Sequence, residues 1–288
     1  MTYSVVAVDD DTGAFGVAVA SKALCVGAHV PWGSAGIGAC ATQAWHDLRY
    51  GYEGLALLEA GCSAASVVQT LTHGDPVAPN RQLGIVDRRG RVASYTGSRC
   101  LPWAGGMCGR SYAVQGNLLA GPQVVETMAD AYEAGTGLPF TVRLVQALVA
   151  GDEAGGDRRG RQSAALKVWR ADSTGAPGDV IADLRVDDAP LPVHRLLELL
   201  SVYWLERGTP VPEDAQALSP TLRMRLAGLL GVPENQVDVA LERWAREHNL
   251  ERRLIPGRID GVVLEAVERA GSSPLTRPDT LPLTGWPR

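Results

Sequence analysis

The chain has 288 residues, of which 45% are hydrophobic and 20% charged, and its formal net charge is −5. This is the composition of a globular protein with a sizeable core in one or two domains, and without a basic excess it argues against a general nucleic-acid binder. No run approaches the roughly 20 apolar residues of a membrane span, and no basic segment precedes an apolar run, so we expect neither a membrane protein nor a secretory signal.

Turn signals separate short runs of small and β-branched residues through the first half of the chain. The DDTG and DRRG sequences predict two β-hairpins, and Ser63 and Gly74 predict the start and stop of a helix. Strands are predicted within 2–21, 36–45, 81–97, 111–121, 163–170 and 179–188, and helices within 63–74, 121–135, 139–151 and 190–208.

Strands in hairpins, then helices in pairs, then strands again favour an α+β fold with antiparallel sheets over a doubly wound parallel sheet. A dinucleotide fold is not expected, because no G-x-G-x-x-G opens a helix after a strand. The Pro-rich, polar stretch after the helix at 190–208 predicts a linker. The sequence therefore predicts one domain over 1–208, a small all-α domain over 215–270 and a Pro-rich tail over 271–288.

The five cysteines are an odd number without CxxC spacing, which is typical of reduced thiols in a cytoplasmic protein. No His, Cys or acidic cluster has the spacing of metal ligands, so we expect neither a metal nor another cofactor. Cys40 and His46 lie close in sequence, but no acidic motif or glycine-flanked turn supports a Cys–His catalytic pair.

Several long stretches resemble a bacterial and archaeal family of unknown function that is grouped with the N-terminal-nucleophile (Ntn) hydrolases. They are GVAVASKALCVGAHVPW, GIGACATQAW, RQLGIVD, TGSRCLPWAG, YAVQGNLLAG and GGDRRGRQSAAL. The resemblance covers the chain to about residue 190 and implies a four-layer αββα sandwich. It implies no known substrate.

The segments VDVALERWAREHNL and IDGVVLEAVERA resemble a peptidoglycan-binding domain that can follow this family. Recognition of a peptidoglycan fragment conflicts with the missing export signal. We therefore expect this helical module to dock onto the first domain, cover its pocket or mediate assembly, with Trp244 and Leu264 in its core. Glycan binding stays the alternative.

In an Ntn hydrolase the first residue of the mature chain is both nucleophile and base. Thr2 follows Met1, and a small second residue normally allows removal of the methionine. The Thr2 hydroxyl would then be activated by its own α-amine, whose reference pKa is about 7.7–8.0. The first hairpin brings residues near 20 opposite residues near 2, so Lys22 is the candidate cation that lowers the pKa of this amine. The alternative is that Thr2 only begins a strand and Lys22 is a solvated charge.

The resemblance implies further pocket residues. Asn117 would donate to an oxyanion and Gln43 would bind the substrate amide, although Asn117 could equally be a turn residue. Arg81 and Gln82 open a strand and could serve in packing or in the pocket. Asp157, Arg158 and Arg161 lie among glycines just before a strand, where they could bind a substrate carboxylate or form an internal ion-pair network.

These residues predict a cytoplasmic Ntn-type hydrolase that cleaves the C–N bond of an amide or lactam in a small or peptide-like substrate through Thr2. One alternative is a non-catalytic binding protein with the same fold, associated with the cell wall. A second is a hydrolase that uses another pocket group. We expect a homo-oligomer, because Trp32, Trp45 and Trp103 lie in glycine-rich contexts typical of pocket walls or subunit interfaces.

Overall fold

The computed structural model describes residues 2–171, 180–208 and 215–270. Their contacts divide the chain into two compact units, and the division falls between Leu197 and Glu198. The predicted tail over 271–288 lies outside the described residues. None of the helices in the described ranges is long and apolar enough to cross a bilayer.

The first unit contains ten strands and four complete α-helices among its described residues. In chain order they are β1 (Thr2–Val8), β2 (Phe15–Ser21), β3 (Pro31–Ser34), β4 (Gly38–Ala44), α1 (Arg49–Glu59), α2 (Ala64–His73), β5 (Arg81–Asp87), β6 (Val92–Thr96), β7 (Gly105–Gly109), β8 (Tyr112–Asn117), α3 (Gln123–Ala134), α4 (Phe140–Glu153), β9 (Ser163–Trp169) and β10 (Val180–Val186). The next helix, α5 (Pro192–Arg207), begins in the first unit and ends in the second, so the units divide within it.

The strands form two antiparallel sheets. The larger sheet has the order β10-β9-β2-β1-β8-β7, and the smaller has the order β3-β4-β5-β6. Strand β1 pairs with β2 on one side and with β8 on the other, where Thr2 lies opposite Asn117. The first strand of the chain is therefore internal to its sheet, with a hydrogen-bonded neighbour on each side.

Helices cover both sheets. Helices α3 and α4 pack together and contact β1, β2 and β8, whereas α1 and α2 contact β4, β5 and β6. Strands β1 and β8 of the larger sheet also contact the smaller sheet, through β4 and β5. The predicted α+β fold with antiparallel sheets is confirmed.

Both faces of β1 are buried, because its side chains point alternately into the core between the sheets and towards the helices. Val6 and Val8 belong to the core between the sheets, together with Ala39 and Ala41 of β4. Tyr3 faces the opposite way, and its hydroxyl donates to Asp152 of α4 at 3.1 Å. Successive side chains of a strand point to opposite faces, so Thr2 shares the face of Val6 and not that of Tyr3.

Local signals placed several elements correctly. Ser63 caps α2 by accepting a hydrogen bond from the Ser66 N–H at 3.2 Å, and Gly74 follows the last residue of that helix. Two strands of the first unit were not predicted. Both β3 and β7 are edge strands, and β7 is rich in glycine and partly exposed, so neither carries an alternating apolar pattern.

The second unit has its own apolar core and is not purely helical. After the end of α5 it contains β11 (Gln216–Ala217), α6 (Pro220–Leu230), α7 (Val237–Glu247), β12 (Arg258–Ile259) and α8 (Gly261–Ala270). The two short strands pair antiparallel, a difference from the all-α expectation. Leu264 is buried in the core, and Trp244 packs against it while partly exposed.

Two glycines of α1 provide a test of the packing between α1 and the smaller sheet. A Cβ on Gly51 would lie 2.1 Å from the Trp32 ring, whereas a Cβ on Gly54 would lie 3.6 Å from Leu71, an ordinary contact. We expect Gly54→Ala to stabilise the protein by up to about 1 kcal/mol, because alanine is the better helix former. We expect Gly51→Ala to destabilise it by about 1–3 kcal/mol through overpacking.

Urea unfolding curves of the two variants and the wild type measure both changes in the free energy of unfolding. Because the substitutions are chemically identical and lie in one helix, equal stabilisation by both would contradict the close contact between Gly51 and Trp32.

Candidate functional site

The space between the two sheets is apolar at one end and polar at the other. The apolar end contains valine and alanine side chains with Phe15 and Trp169. The polar end contains hydroxyl and amide side chains that are at most 5% exposed: Thr2, Ser4, Ser21, Gln43, Gln82, Gln115 and Asn117. We call these seven residues the polar cluster. Buried polar groups are costly unless they are hydrogen-bonded, so their partners define the site.

Thr2 lies between residues of both neighbouring strands. Its Oγ1 donates to Ser21 Oγ at 3.2 Å, and Asn117 is its backbone partner in β8. The Thr2 residue is only 5% exposed. A threonine hydroxyl is therefore fixed at the polar end, with a second hydroxyl and an amide on adjacent strands.

Gln43 holds the backbone of Thr2 from the opposite sheet. Its Nε2 lies 3.3 Å from the Thr2 carbonyl oxygen and 2.8 Å from Gln82 Oε1. Its Oε1 accepts a hydrogen bond from Ser4 Oγ at 2.7 Å. Sequence analysis assigned Gln43 to a substrate amide, whereas these contacts position the start of β1.

Gln82 connects Gln43 to Asn117. Its Oε1 accepts from Asn117 Nδ2 at 2.7 Å as well as from Gln43, and its Nε2 donates to the Gly116 carbonyl at 2.7 Å. One N–H of the Asn117 amide is thus used, and a primary amide carries two. The asparagine is oriented by Gln82, next to Thr2.

Gln115 fits in the cluster because residue 84 is a glycine. A Cβ at Gly84 would lie 2.1 Å from Gln115 Oε1. Gln115 Nε2 donates to Ser4 Oγ at 2.7 Å, whereas its Oε1 has no hydrogen-bond partner among the described residues.

Sequence reasoning missed Ser4, Ser21 and Gln115 and left Gln82 open between packing and the pocket. A signal was present, since Thr2 and Ser4 in β1, and Gln115 and Asn117 in β8, are polar at alternate positions of otherwise apolar strands. Polar residues on one face of a buried strand indicate a polar interior. Which strands face them cannot be read from that pattern.

Lys22 lies where the hairpin predicts, one residue after Ser21, but its side chain is exposed. Its backbone N–H donates to Asp157 Oδ2 at 2.8 Å, and its Nζ donates to the Arg161 carbonyl at 3.3 Å. The contacts of Lys22 therefore lie in the 157–161 loop.

The 157–161 loop is held by ion pairs. Asp157 is buried and accepts from Arg159 Nη2 at 3.0 Å, and Arg161 Nε binds Asp152 at 2.8 Å. These contacts correspond to an internal ion-pair network, which was one of the two alternatives for this loop, and not to the binding of a substrate carboxylate. Arg158 has an exposed side chain, and its backbone N–H donates to the Leu118 carbonyl, one residue beyond Asn117.

Asp152 also connects this loop to β1. Burial raises the pKa of the Tyr3 hydroxyl well above its ordinary value, and the neighbouring Asp152 carboxylate raises it further. Tyr3 thus remains a neutral hydrogen-bond donor to Asp152 throughout the physiological pH range.

Arg81 lies in a second buried network, at the start of β5. Its Nε binds Asp75 at 2.8 Å, its Nη2 binds Asp47 at 3.2 Å, and its Nη1 donates to the Trp45 carbonyl. The side chain of Arg81 is 6% exposed. These contacts correspond to the packing role that was considered for Arg81. They also fix the loop that carries the exposed side chain of Trp45.

Cys40 and His46 have separate surroundings. Burial raises the pKa of the Cys40 thiol to about 12, so a thiolate is scarce at neutral pH. His46 stacks on His29, with ring centroids 5.3 Å apart, and burial lowers its pKa. In the described ranges no group of three or more His, Cys, Asp and Glu side chains is arranged to hold a metal ion.

Comparison with known proteins places this mixed α+β chain among proteins of unknown function. It is similar to the crystal structure of protein SPO2555 from Silicibacter pomeroyi, described as DUF1028, with 32% identity and a TM-score of 0.65. The similarity covers 74% of this chain and 93% of that one. The model of a family of unknown function, DUF1028, matches residues 2–196, and the chain belongs to this family. A search of curated proteins found no match.

We expect a large loss of stability when the positive charge of Arg81 is removed from this network. We expect Arg81→Met to destabilise the protein by roughly 3–5 kcal/mol at pH 7, because Asp75 and Asp47 lose a buried cation. The control is Arg49→Met, which removes the exposed partner of Asp47 and should change stability little. Urea unfolding of both variants measures the difference.

The loss of stability caused by Arg81→Met should depend on pH. Burial raises the pKa of Asp75, but hydrogen bonds led by that of Arg81 outweigh it and hold the pKa below its usual value. A carboxylate with a lowered folded-state pKa adds stability above its unfolded pKa of about 4 and loses it as the pH falls through the folded value. The gap between wild type and Arg81→Met should therefore shrink below about pH 4, and a gap that widens there would contradict this assignment.

Proposed function

We propose that this protein is an Ntn-type hydrolase that cleaves a C–N bond through Thr2 after removal of Met1. The observation that carries the proposal is the position of Thr2, which begins an internal strand with its hydroxyl 3.2 Å from Ser21 Oγ and with Asn117 opposite it. A nucleophile at a chain end needs such a fixed strand, because most chain termini are mobile.

The layers support the same proposal. Two facing antiparallel sheets, each covered by a helix pair on its other side, correspond to the αββα sandwich of Ntn hydrolases. The strand that Thr2 begins lies inside the larger sheet, between β2 and β8.

The proposed reaction uses the first residue twice. The Thr2 α-amine takes the proton of the Thr2 hydroxyl as Oγ1 attacks the substrate carbonyl carbon. The tetrahedral intermediate collapses, the C–N bond breaks, and the protonated α-amine returns its proton to the leaving nitrogen. Water, activated by the same amine, then hydrolyses the acyl-Thr2 ester.

Neighbouring residues receive revised roles in this proposal. Asn117 donates its second N–H to the oxyanion, and Gln82 orients it. Gln43 positions the Thr2 backbone. Arg158, exposed and adjacent to the residues that follow Asn117, is the candidate for binding a substrate carboxylate. Lys22 tunes the amine only if its side chain leaves the Arg161 carbonyl.

A non-catalytic binding protein is the second candidate. The observation that favours it is the burial of Thr2, which is 5% exposed. A binding role in the cell wall is suggested by the resemblance of the second unit to a peptidoglycan-binding domain. In either case we propose a cytoplasmic or cell-wall site of action and assembly into a homo-oligomer.

Covalent labelling tests the hydrolase. A β-lactone probe should acylate Thr2, giving one adduct by intact mass on protein that lacks Met1. Thr2→Ala keeps a small second residue and its free amine but lacks the hydroxyl, so labelling should be lost, while Thr2→Ser should retain it. Thr136→Ala, at an exposed threonine after α3, is the matched control and should label normally.

Two results would contradict the hydrolase. One is Met1 retained on the native protein, because the Thr2 amine is then part of a peptide bond. The other is unchanged labelling of Thr2→Ala, which would assign the nucleophile to another residue.

Sedimentation with purified peptidoglycan tests the binding alternative. If the second unit recognises glycan or peptide of the wall, the full chain should pellet with sacculi, and soluble muropeptides should compete. If it serves only packing or assembly, the chain should stay in the supernatant at all sacculus concentrations.

A further inference from the structure

A cavity of about 510 Å³ lies between α1, α2 and the loop after α2. This volume falls within the range of about 300–1,000 Å³ typical of small-molecule sites. Leu57, Leu71 and Pro76 supply apolar wall, and Arg49, Glu53 and Asp75 supply charge. No member of the polar cluster lines the cavity, so it is separate from the site proposed for hydrolysis.

Asp75 gives the cavity a rigid, buried polar wall. Its side chain is 6% exposed, and its Oδ2 accepts hydrogen bonds from Arg81 Nε at 2.8 Å and from Tyr50 Oη at 3.0 Å. The Val77 N–H donates to Oδ1 at 2.9 Å. Both oxygens of this carboxylate are engaged, so its position is fixed before any ligand arrives.

The charges around the cavity do not balance. Asp75 pairs with Arg81, and Asp47 pairs with Arg49 at 2.6 Å. Glu53 is the third carboxylate, and among the described residues no hydrogen bond or ion pair holds its side chain. Among the residues that line the cavity, the two carboxylates of Glu53 and Asp75 outnumber the one guanidinium group, that of Arg49, which leaves one negative charge at the exposed Glu53.

We infer that this cavity binds a small organic monocation that has an apolar body. The ammonium group pairs with Glu53, and the apolar body lies against Leu57, Leu71 and Pro76. An anion is disfavoured, because both guanidinium groups already bind carboxylates. The inference does not depend on the chemistry of Thr2.

The test uses three probes of nearly equal size and different charge with the full chain. They are 2-phenylethylammonium, 2-phenylethanol and phenylacetate, measured by isothermal titration calorimetry at pH 7. We expect the ammonium compound to bind about tenfold more tightly than the alcohol, as one charge-assisted hydrogen bond allows, and phenylacetate not to bind.

Three variants locate the site. Glu53→Gln should weaken the ammonium compound about tenfold to the level of the alcohol. Glu59→Gln changes an exposed glutamate of the same helix that does not line the cavity, and should leave binding unchanged. Ala56→Phe, at an exposed cavity position, should abolish binding by filling the space.

The inference is overturned if the alcohol binds as tightly as the ammonium compound, or if none of the probes binds. It is also overturned if Glu53→Gln and Glu59→Gln weaken binding equally, since the effect would then be one of net charge. Circular dichroism of each variant verifies that the fold is retained, which these exposed positions should permit.

Discussion

The side-chain carbonyl oxygen of Gln82 is one of several groups whose hydrogen bonds join the two sheets at their polar end. Gln82 Oε1, on the smaller sheet, accepts hydrogen bonds from Asn117 of the larger sheet and from Gln43 of its own. Buried amides that lack partners cost several kcal/mol each, so the seven residues of the polar cluster are tolerated only as a connected set. The positions of Thr2 and Asn117 follow from this constraint.

The hairpins could be predicted because a hairpin is encoded locally. The DDTG and DRRG turns lie next to the strands that they join, and both hairpins formed in the expected places. The polar cluster could not be predicted, because it depends on which residues of two separate sheets come face to face. Gly84 illustrates this, since its missing side chain is explained only by Gln115 of the other sheet.

Lys22 shows that a difference of one residue in sequence position changes which groups a side chain can reach. The hairpin argument placed it correctly along the chain, but Ser21 already faces Thr2, and successive side chains of a strand point to opposite sides. Its ammonium group therefore reaches the Arg161 carbonyl. Proximity in a hairpin predicts a neighbour, whereas register and face decide which neighbour it is.

In the second unit, the residues that carry the glycan-binding resemblance have structural contacts. Asp260 of the IDG sequence accepts a hydrogen bond from the Val262 N–H at 2.9 Å and lies 3.3 Å from Arg253, and both side chains are buried. Arg253 also donates to the carbonyl of Trp204 at 2.7 Å, and Trp244 stacks on His248. The motif therefore fixes the start of α8, a structural role that requires no affinity for glycan.

The hydrogen bond between Tyr3 and Asp152 anchors the start of β1 to helix α4. Tyr3 points away from Thr2, into the layer of α3 and α4, where Asp152 also holds Arg161. Fraying that begins at Thr2 would have to break this anchor before it could spread further into β1. A residue that faces away from the polar cluster thus limits how far the strand that carries Thr2 can open.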